Sequence, residues 1–345
     1  MTYFYREGEL GFESGGRFFS LQDIARRAAR PVYVYNLDEV IRRYRLFSAA
    51  FDHRAVICYA LKANSQPLLL KSLADLGAGA DVVSAGEIKQ ALAAGFSPHK
   101  IVFSGVAKEK YEIQLALKSR IRQINVESPA ELRRIGQLAR EMGCQAPVAF
   151  RLNPDVNPET HPYIRTGFRE NKFGMDASFL FELEAILKEF SKELKLVGLT
   201  LHIGSQIRDI GPLTEAVRKS LPWYDRLGRG SFHLQCFDIG GGLGIDYHNA
   251  EESPELRISQ DYAFEMRKLL DPLNCEILCE PGRIIVARSG VLLSEVQYIK
   301  ETPYKRFAMI NTGMHHLLRP SLYEAYHRIL PLVETSDQRD LDRGM

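Results

Sequence analysis

Three residues whose side chains could take part in catalysis stand at the ends of apolar runs. Lys62 and Glu280 follow such runs, and His202 ends one. A lysine amine can bind a carbonyl compound covalently, a histidine can transfer a proton, and a carboxylate can pair with a cation. Each of these residue types alone is common on protein surfaces. Their shared position after predicted strands favours a catalytic site over solvated surface residues.

A run of three glycines, Gly240-Gly241-Gly242, follows another apolar segment. Backbone without side chains lets amide groups approach phosphate oxygens closely, so the run is a candidate phosphate loop. A dinucleotide-binding fingerprint that starts at Gly240 would need glycine at position 245, where Ile245 stands, so we reject that alternative. A phosphate loop and a lysine at one site are what a pyridoxal phosphate cofactor requires.

The elements that must position these residues alternate between strand-like and helix-like segments. Eight runs are typical of strands buried on both faces: residues 56–60, 79–83, 101–103, 124–126, 147–152, 197–202, 234–239 and 275–279. Ser84 and Ser128, each with a glutamate three residues later, fit capping boxes that begin helices. Eight such units in about 230 residues predict an α/β fold, a (β/α)8 TIM-like barrel, with a doubly wound open sheet as the alternative.

The two chain ends do not continue this alternation. They contain short β-rich runs at residues 2–5, 18–21, 284–287, 291–299 and 307–310. We therefore expect a barrel domain over residues 31–285. Residues 1–30 and 286–345 are expected to form a second, small β-rich domain together.

Composition excludes several classes of protein. The 345 residues are 45% hydrophobic and 26% charged, which suits a large core, and the net charge of +2 predicts neither a nucleic-acid nor a membrane partner. Arg6, Glu7 and Glu9 stand where a signal peptide needs an apolar run, so we expect a cytoplasmic protein. The five cysteines form no CxxC pair and HExxH is missing, so neither disulfides nor a metal site is expected.

Several segments resemble motifs of the fold-type III pyridoxal-phosphate decarboxylases, and within them the diaminopimelate decarboxylases. The resemblance runs from about residue 30 to residue 332. Its motifs lie at residues 59–64 around Lys62, 151–155, 166–167, 171–174, 202–206, 240–244, 279–283 and 319–323.

The resemblance implies a role for each candidate residue. Lys62 binds the cofactor covalently, His202 stacks on its ring, and Glu280 pairs with the pyridine nitrogen. Further cofactor contacts are implied for Asp81, Ser205, Gly241, Gly242, Gly282 and Arg283, and contacts with the distal carboxylate of the substrate for Arg283, Arg319 and Tyr323. A carboxylate at the ring nitrogen favours decarboxylation over racemisation, since related barrel racemases have arginine there.

The implied reaction is decarboxylation of meso-2,6-diaminopimelate to L-lysine and CO2 by a carboxy-lyase of lysine biosynthesis. The resemblance also implies a homodimer with shared active sites. Two alternatives remain open. One is a decarboxylase of another amino acid such as carboxynorspermidine, with ornithine disfavoured by Arg319. The other is a paralogue that binds the cofactor and is inactive.

The sequence departs from the family pattern in two places. Residues 311–316 read Asn-Thr-Gly-Met-His-His, where the family has Asp-Ala-Gly-Met-Asn-Asp. The chain is also C-terminally shortened, because it ends before the family's Cys-Glu-Ser-Gly-Asp segment. The cysteine of that segment reaches the partner's site in the family and helps to reprotonate the substrate carbon. We therefore expect this polypeptide to bind the cofactor and to decarboxylate poorly.

Overall fold

The structure is a computed structural model that describes residues 2–29, 31–156, 172–229, 232–249 and 253–335. The chain forms two compact units. Residues 43–245 and 255–285 make up the barrel unit, and residues 1–42, 246–254 and 286–345 make up the terminal unit. The motif residues Thr166, Gly167 and Asn171 lie outside the described residues, as does most of the polar C-terminal tail.

The first elements along the chain are short. They are β1 (Phe4–Arg6), β2 (Glu9–Ser14), β3 (Arg17–Ser20), α1 (Leu21–Arg27), β4 (Val32–Tyr35) and α2 (Leu37–Ala50). Strands β1, β2 and β3 form an antiparallel sheet in that order. The Ser20 side chain accepts from the backbone N–H of Asp23, which is the usual N-cap arrangement and fixes the start of α1.

The eight predicted strands form one closed parallel barrel. They are β5 (Val56–Ala60), β6 (Gly79–Val82), β7 (Ile101–Phe103), β8 (Gln123–Val126), β9 (Ala146–Leu152), β10 (Leu194–Leu201), β11 (Cys236–Asp238) and β12 (Glu276–Cys279). Every neighbouring pair is parallel, and β12 pairs with β5 to close the sheet. The (β/α)8 barrel is therefore confirmed, and the open-sheet alternative is wrong.

Helices follow the barrel strands. They are α3 (Pro67–Asp75), α4 (Ala85–Ala94), α5 (Lys110–Lys118), α6 (Pro129–Met142), α7 (Leu180–Glu189), α8 (Gly211–Arg229), α9 (Ser253–Leu270) and α10 (Arg283–Val286). The two predicted caps begin α4 and α6, because Ser84 and Ser128 accept from the backbone N–H of Glu87 and Glu131. Across the described ranges, no helix combines the length and apolar character that spanning a membrane would require.

One predicted strand is wrong. Residues 284–287 were expected to be extended because Ile284, Ile285 and Val286 are β-branched, but they lie largely in the short helix α10. These three side chains are buried, so packing decides their conformation against the intrinsic preference for strand.

The last elements belong to the terminal unit. They are β13 (Gly290–Leu293), β14 (Val296–Glu301), β15 (Arg306–Ile310) and α11 (Arg319–Tyr323). Strand β13 pairs with β4, and β14 pairs with β15, both antiparallel. Residues from both chain ends share one apolar cluster, which contains Tyr3, Leu10, Phe12, Leu21, Ala25 and Leu293.

Candidate active site

Lys62 lies in the turn that follows β5 and forms an ion pair with Asp81 of β6. Its Nζ donates to Asp81 Oδ2 at 2.9 Å. The Asp81 side chain is fully buried, whereas 49% of the Lys62 side chain is exposed at the mouth of the barrel. Burial lowers the pKa of the Lys62 amine, but the charges of Asp81 and Glu280 and the hydrogen bond to Asp81 together raise it by more, so the net shift is upward. The pair holds a positively charged amine at the C-terminal end of the barrel.

Glu280 follows β12 and is 5% exposed. Its Oε1 accepts from Ser104 Oγ at 3.3 Å and from Asn125 Nδ2 at 3.3 Å. Burial raises the pKa of Glu280 well above its usual range, and the neighbouring Asp238 and Asp81 carboxylates raise it further. A cation beside Glu280 would offset these effects, so the carboxyl group is suited to pair with a protonated ring nitrogen.

The glycine run follows β11, and its backbone lies close to residues that follow the neighbouring strands at the barrel mouth. The Gly240 N–H donates to Asp238 Oδ1 at 2.9 Å, and the Gly241 N–H donates to His202 Nδ1 at 3.4 Å. A Cβ at Gly241 would lie 2.2 Å from the backbone oxygen of Glu280, and Gly242 has φ +117°. A side chain at position 241 would collide with the Glu280 backbone. Few residues other than glycine adopt the positive φ found at position 242.

His202 is neutral in this arrangement. Burial lowers the pKa of its imidazole well below the usual range, and the positive charges of Arg151 and Lys62 lower it further. The bond from the Gly241 N–H agrees with this, since Nδ1 can accept only when it carries no proton. A neutral ring at this point can pack against a flat ligand without adding charge.

The remaining candidate residues fall into two groups. Arg283 donates from Nη2 to Ser205 Oγ at 3.3 Å, which joins the residues after β12 and β10 at the mouth. Arg319 and Tyr323 lie on α11 of the terminal unit. Arg319 Nη1 is 2.9 Å from His327 Nε2, and its guanidinium lies 4.5 Å from the ring centre of Tyr247.

Three functional candidates were missed by the sequence analysis. Ser104 and Asn125 contact Glu280, and the buried Asp238 raises its pKa. Each stands in or directly after an apolar strand, and a polar residue in such a run was the available signal. The side chain that each one faces comes from another strand, so the sequence did not indicate the partner.

Comparison with known proteins identifies the family. Residues 37–287 match the family described as pyridoxal-dependent decarboxylase, pyridoxal binding domain. A diaminopimelate decarboxylase of Aquifex aeolicus is 42% identical over 337 residues, which cover 97% of this chain and 77% of that protein. The chain belongs to the diaminopimelate decarboxylases.

Solved structures agree with this assignment. The diaminopimelate decarboxylase of Helicobacter pylori, in a crystal structure complexed with L-lysine, matches with a TM-score of 0.84 and 42% identity, covering 89% of this chain and 76% of that chain. A lysine decarboxylase from Selenomonas ruminantium matches with a TM-score of 0.77, covering 91% of this chain and 78% of that chain. It is only 22% identical, so it supports the fold alone.

The barrel mouth of this chain fits pyridoxal phosphate, and the family it matches is described as pyridoxal-dependent. Among the described residues, Asp81 Oδ1 and Asp238 Oδ2 are buried without a hydrogen-bond partner. Together with Glu280 they suit a cationic group, because buried carboxylate oxygens are rarely left unpaired. Lys62 supplies the amine, and the glycine run after β11 supplies exposed backbone amides. The donors and acceptors thus match the aldehyde, ring nitrogen and phosphate of the cofactor.

Gly241→Ala is expected to weaken pyridoxal phosphate binding by at least about tenfold. The new methyl group would lie 2.2 Å from the Glu280 backbone oxygen, so the glycine run would have to shift at a cost of about 1–3 kcal/mol. Titration of the cofactor-free protein, followed by visible absorbance, measures the Kd. Gly228→Ala in α8 is the control, since its Cβ meets nothing within 4 Å. A Gly241→Ala variant with the parent's Kd would contradict the close packing.

Proposed function

We propose that this chain decarboxylates meso-2,6-diaminopimelate to L-lysine and CO2, with pyridoxal phosphate as cofactor. The observation that carries the proposal is the Lys62–Asp81 ion pair beside the buried Glu280, in a chain 42% identical to a diaminopimelate decarboxylase crystallised with L-lysine. Carboxynorspermidine decarboxylation and an inactive paralogue are not favoured, because the similar curated proteins are diaminopimelate decarboxylases.

The chain's residues divide the chemistry between them. When bound, pyridoxal phosphate supplies an electron sink for the electron pair left behind by the departing CO2. Glu280 keeps a proton on the ring nitrogen, which strengthens that sink. Lys62 Nζ would hold the cofactor through its aldehyde group and could move a proton at the same atom. His202, being neutral, would lie against the cofactor without competing for that proton.

Phosphate and substrate binding are assigned to the remaining candidates. Gly241, Gly242, Gly282 and Ser205 are proposed to bind the phosphate group through N–H and O–H donors. Arg283, Arg319 and Tyr323 are proposed to bind the distal carboxylate, on the motifs shared with the family. A guanidinium suits this task because its forked donors match the two carboxylate oxygens.

Two further proposals concern the working form of the enzyme. The family resemblance supports a homodimer with shared active sites. The second is a cytoplasmic location, as the sequence analysis expects.

Lysine release from meso-2,6-diaminopimelate is the direct test. The purified chain, supplied with pyridoxal phosphate, is expected to form lysine and CO2 slowly and in equal amounts, and to leave ornithine unreacted because ornithine has no distal carboxylate. Chromatography of the amino acids and trapping of labelled CO2 measure both products. Turnover of carboxynorspermidine in preference to diaminopimelate, or cofactor binding without any turnover, would overturn the proposed function.

Arg319→Met tests the substrate assignment within the same assay. Loss of the guanidinium is expected to raise KM for diaminopimelate by at least about thirtyfold, the usual cost of truncating one partner of a charged pair. The matched control is Arg229→Met, since Arg229 is an exposed arginine that pairs with Asp225 at the end of α8. An unchanged KM in Arg319→Met would exclude a role for this residue in carboxylate recognition.

A further inference from the structure

A chain of buried polar side chains crosses the barrel interior and ends at Glu280. Cys236 Sγ donates to Gln123 Oε1 at 3.3 Å, and Gln123 Nε2 donates to Asn125 Oδ1 at 2.9 Å. Asn125 Nδ2 then donates to Glu280 Oε1 at 3.3 Å. Cys236, Gln123 and Asn125 are at most 1% exposed. We call these three residues the barrel polar chain.

The barrel polar chain runs from the base of the barrel to its mouth. Cys236 and Gln123 are the first residues of β11 and β8, at the N-terminal end of the parallel sheet. Asn125 lies further along β8, and Glu280 follows β12 at the C-terminal end. Barrel interiors are mostly filled by branched apolar side chains, so linked polar side chains across this one require a specific reason.

The side-chain hydrogen bonds that link the barrel polar chain run towards Glu280, while the Cys236 thiol also lies 3.5 Å from the Val197 backbone oxygen. An ionised carboxylate can only accept, so Asn125 presents its amide NH2 to an ionised Glu280, and its Oδ1 accepts from Gln123. Gln123 therefore donates from Nε2 to Asn125, and its Oε1 accepts from the Cys236 thiol. Burial raises the pKa of the Cys236 thiol to about 12, so the thiol keeps the proton that it donates. Hydrogen bonds aligned in one direction polarise each other and favour negative charge at the accepting end.

Ser104 supplies a second donor at the same oxygen. Its Oγ accepts from Asn125 Nδ2 at 3.0 Å and donates to Glu280 Oε1 at 3.3 Å. Asn125 and Ser104 therefore fix Oε1 together. They also act against burial and the nearby Asp238 and Asp81 carboxylates, all of which favour the protonated form of Glu280. A Glu280 that keeps its proton would pair poorly with a ring nitrogen.

We propose that Asn125, oriented by Gln123 and supported by Ser104, is a positioning residue that holds Glu280 in place and favours its ionised form beside a protonated ring nitrogen. Asn125 acts through Glu280 and touches neither cofactor nor substrate in this role. The inference rests on the proposed function, since it assigns Glu280 to the ring nitrogen of pyridoxal phosphate. It adds Ser104, which follows β7, and two residues of β8 to the groups that tune the cofactor.

Asn125→Leu is expected to alter cofactor binding and turnover together. The loss of one hydrogen bond to a charged group should raise the Kd for pyridoxal phosphate about tenfold and lower kcat per bound cofactor by a similar factor. KM for diaminopimelate should stay within about twofold of the parent, because the substrate contacts are untouched. The acidic limb of the kcat profile should move to higher pH, since Glu280 becomes harder to ionise.

Ser220→Ala is the matched control for the loss of a buried polar side chain. Ser220 is as buried as Asn125, but its Oγ donates to the Ala216 backbone oxygen within α8 and is not part of the barrel polar chain. We expect its Kd for pyridoxal phosphate and its pH profile to stay within about twofold of the parent. Ser104→Ala makes a smaller change next to Glu280 and should reproduce the Asn125→Leu effects in weaker form.

The measurements distinguish a role of Asn125 in positioning Glu280 from a role in packing the barrel interior. An Asn125→Leu protein with lower Tm but unchanged cofactor Kd and pH profile would overturn the inference. If Asn125→Leu does not fold, the cofactor Kd and the pH profile of Ser104→Ala test the inference instead. If the parent binds pyridoxal phosphate but forms no lysine, the proposed function fails. The comparison of cofactor Kd values still decides the role of Asn125, since it needs no turnover.

Discussion

Lysine formation is expected to fall at least about a thousandfold when Lys62 is replaced by alanine, as is usual when a covalent catalytic group is lost. Lys62 is the amine at the barrel mouth that pairs with Asp81, and alanine can neither bind the cofactor covalently nor carry a proton. The visible absorbance of covalently bound cofactor should disappear as well. Both changes are measured on purified protein after addition of pyridoxal phosphate.

The Lys62→Ala variant needs a control for stability. Asp81 is fully buried, so removal of its partner leaves an uncompensated charge that costs up to about 3–5 kcal/mol. Lys62→Arg keeps the positive charge beside Asp81 but cannot form the covalent bond. We expect Lys62→Arg to be as inactive as Lys62→Ala, with a Tm closer to the parent's. Turnover within about tenfold of the parent in either variant would exclude Lys62 as the cofactor lysine.

The barrel could be predicted from the sequence because its strands are buried on both faces. Long apolar runs such as β9 and β10 then carry a strong signal, and capping residues such as Ser84 and Ser128 mark where the helices begin. The run at 284–287 was misassigned because its β-branched residues are equally compatible with a buried helix. Local sequence could not separate the two.

Site residues could be identified from the sequence only where the residue type itself indicates a particular chemical role. Lys62, the glycine run and Glu280 stand out by type and by position after strands. Asn125 and Ser104 do not, because an amide or a hydroxyl in a strand has many structural roles. Their role depends on Glu280, which is 155 and 176 residues away along the chain. That proximity follows from the closure of the barrel.

The buried carboxyl groups at the mouth reduce stability in favour of function. Asp81, Asp238 and Glu280 are all nearly inaccessible to solvent and interact electrostatically. Burial raises the pKa of Asp238 to about 6, with a further contribution from Asp81. Such a cluster costs free energy of folding unless a cation joins it. Strained, charged active sites commonly carry this cost, and substitutions that relieve it stabilise the protein while they abolish activity.

Glu280→Gln is expected to lower kcat by roughly a hundred- to a thousandfold, the usual effect of removing one preorganised electrostatic group. Glutamine cannot provide the negative charge that keeps a proton on the ring nitrogen. Lys62 is unchanged, so the visible absorbance of bound cofactor should persist, which distinguishes this variant from Lys62→Ala. Glu182→Gln, a substitution of a half-exposed glutamate on α7, is the control and should leave kcat unchanged.

The same substitution should change how the stability of the cofactor-free protein depends on pH. The pKa of Glu280 is higher in the folded chain than in the unfolded chain, so the folded chain binds more protons above the ordinary glutamate range. Stability contributed by the protonated carboxyl group is therefore lost as the pH rises towards the folded pKa. Glutamine does not titrate, so the Tm of Glu280→Gln should fall less between pH 5 and pH 8 and exceed the parent's by roughly 1–3 °C at neutral pH. Parallel Tm profiles for the two proteins would mean that Glu280 is already ionised at pH 5 in the cofactor-free protein, and that burial imposes no proton on it.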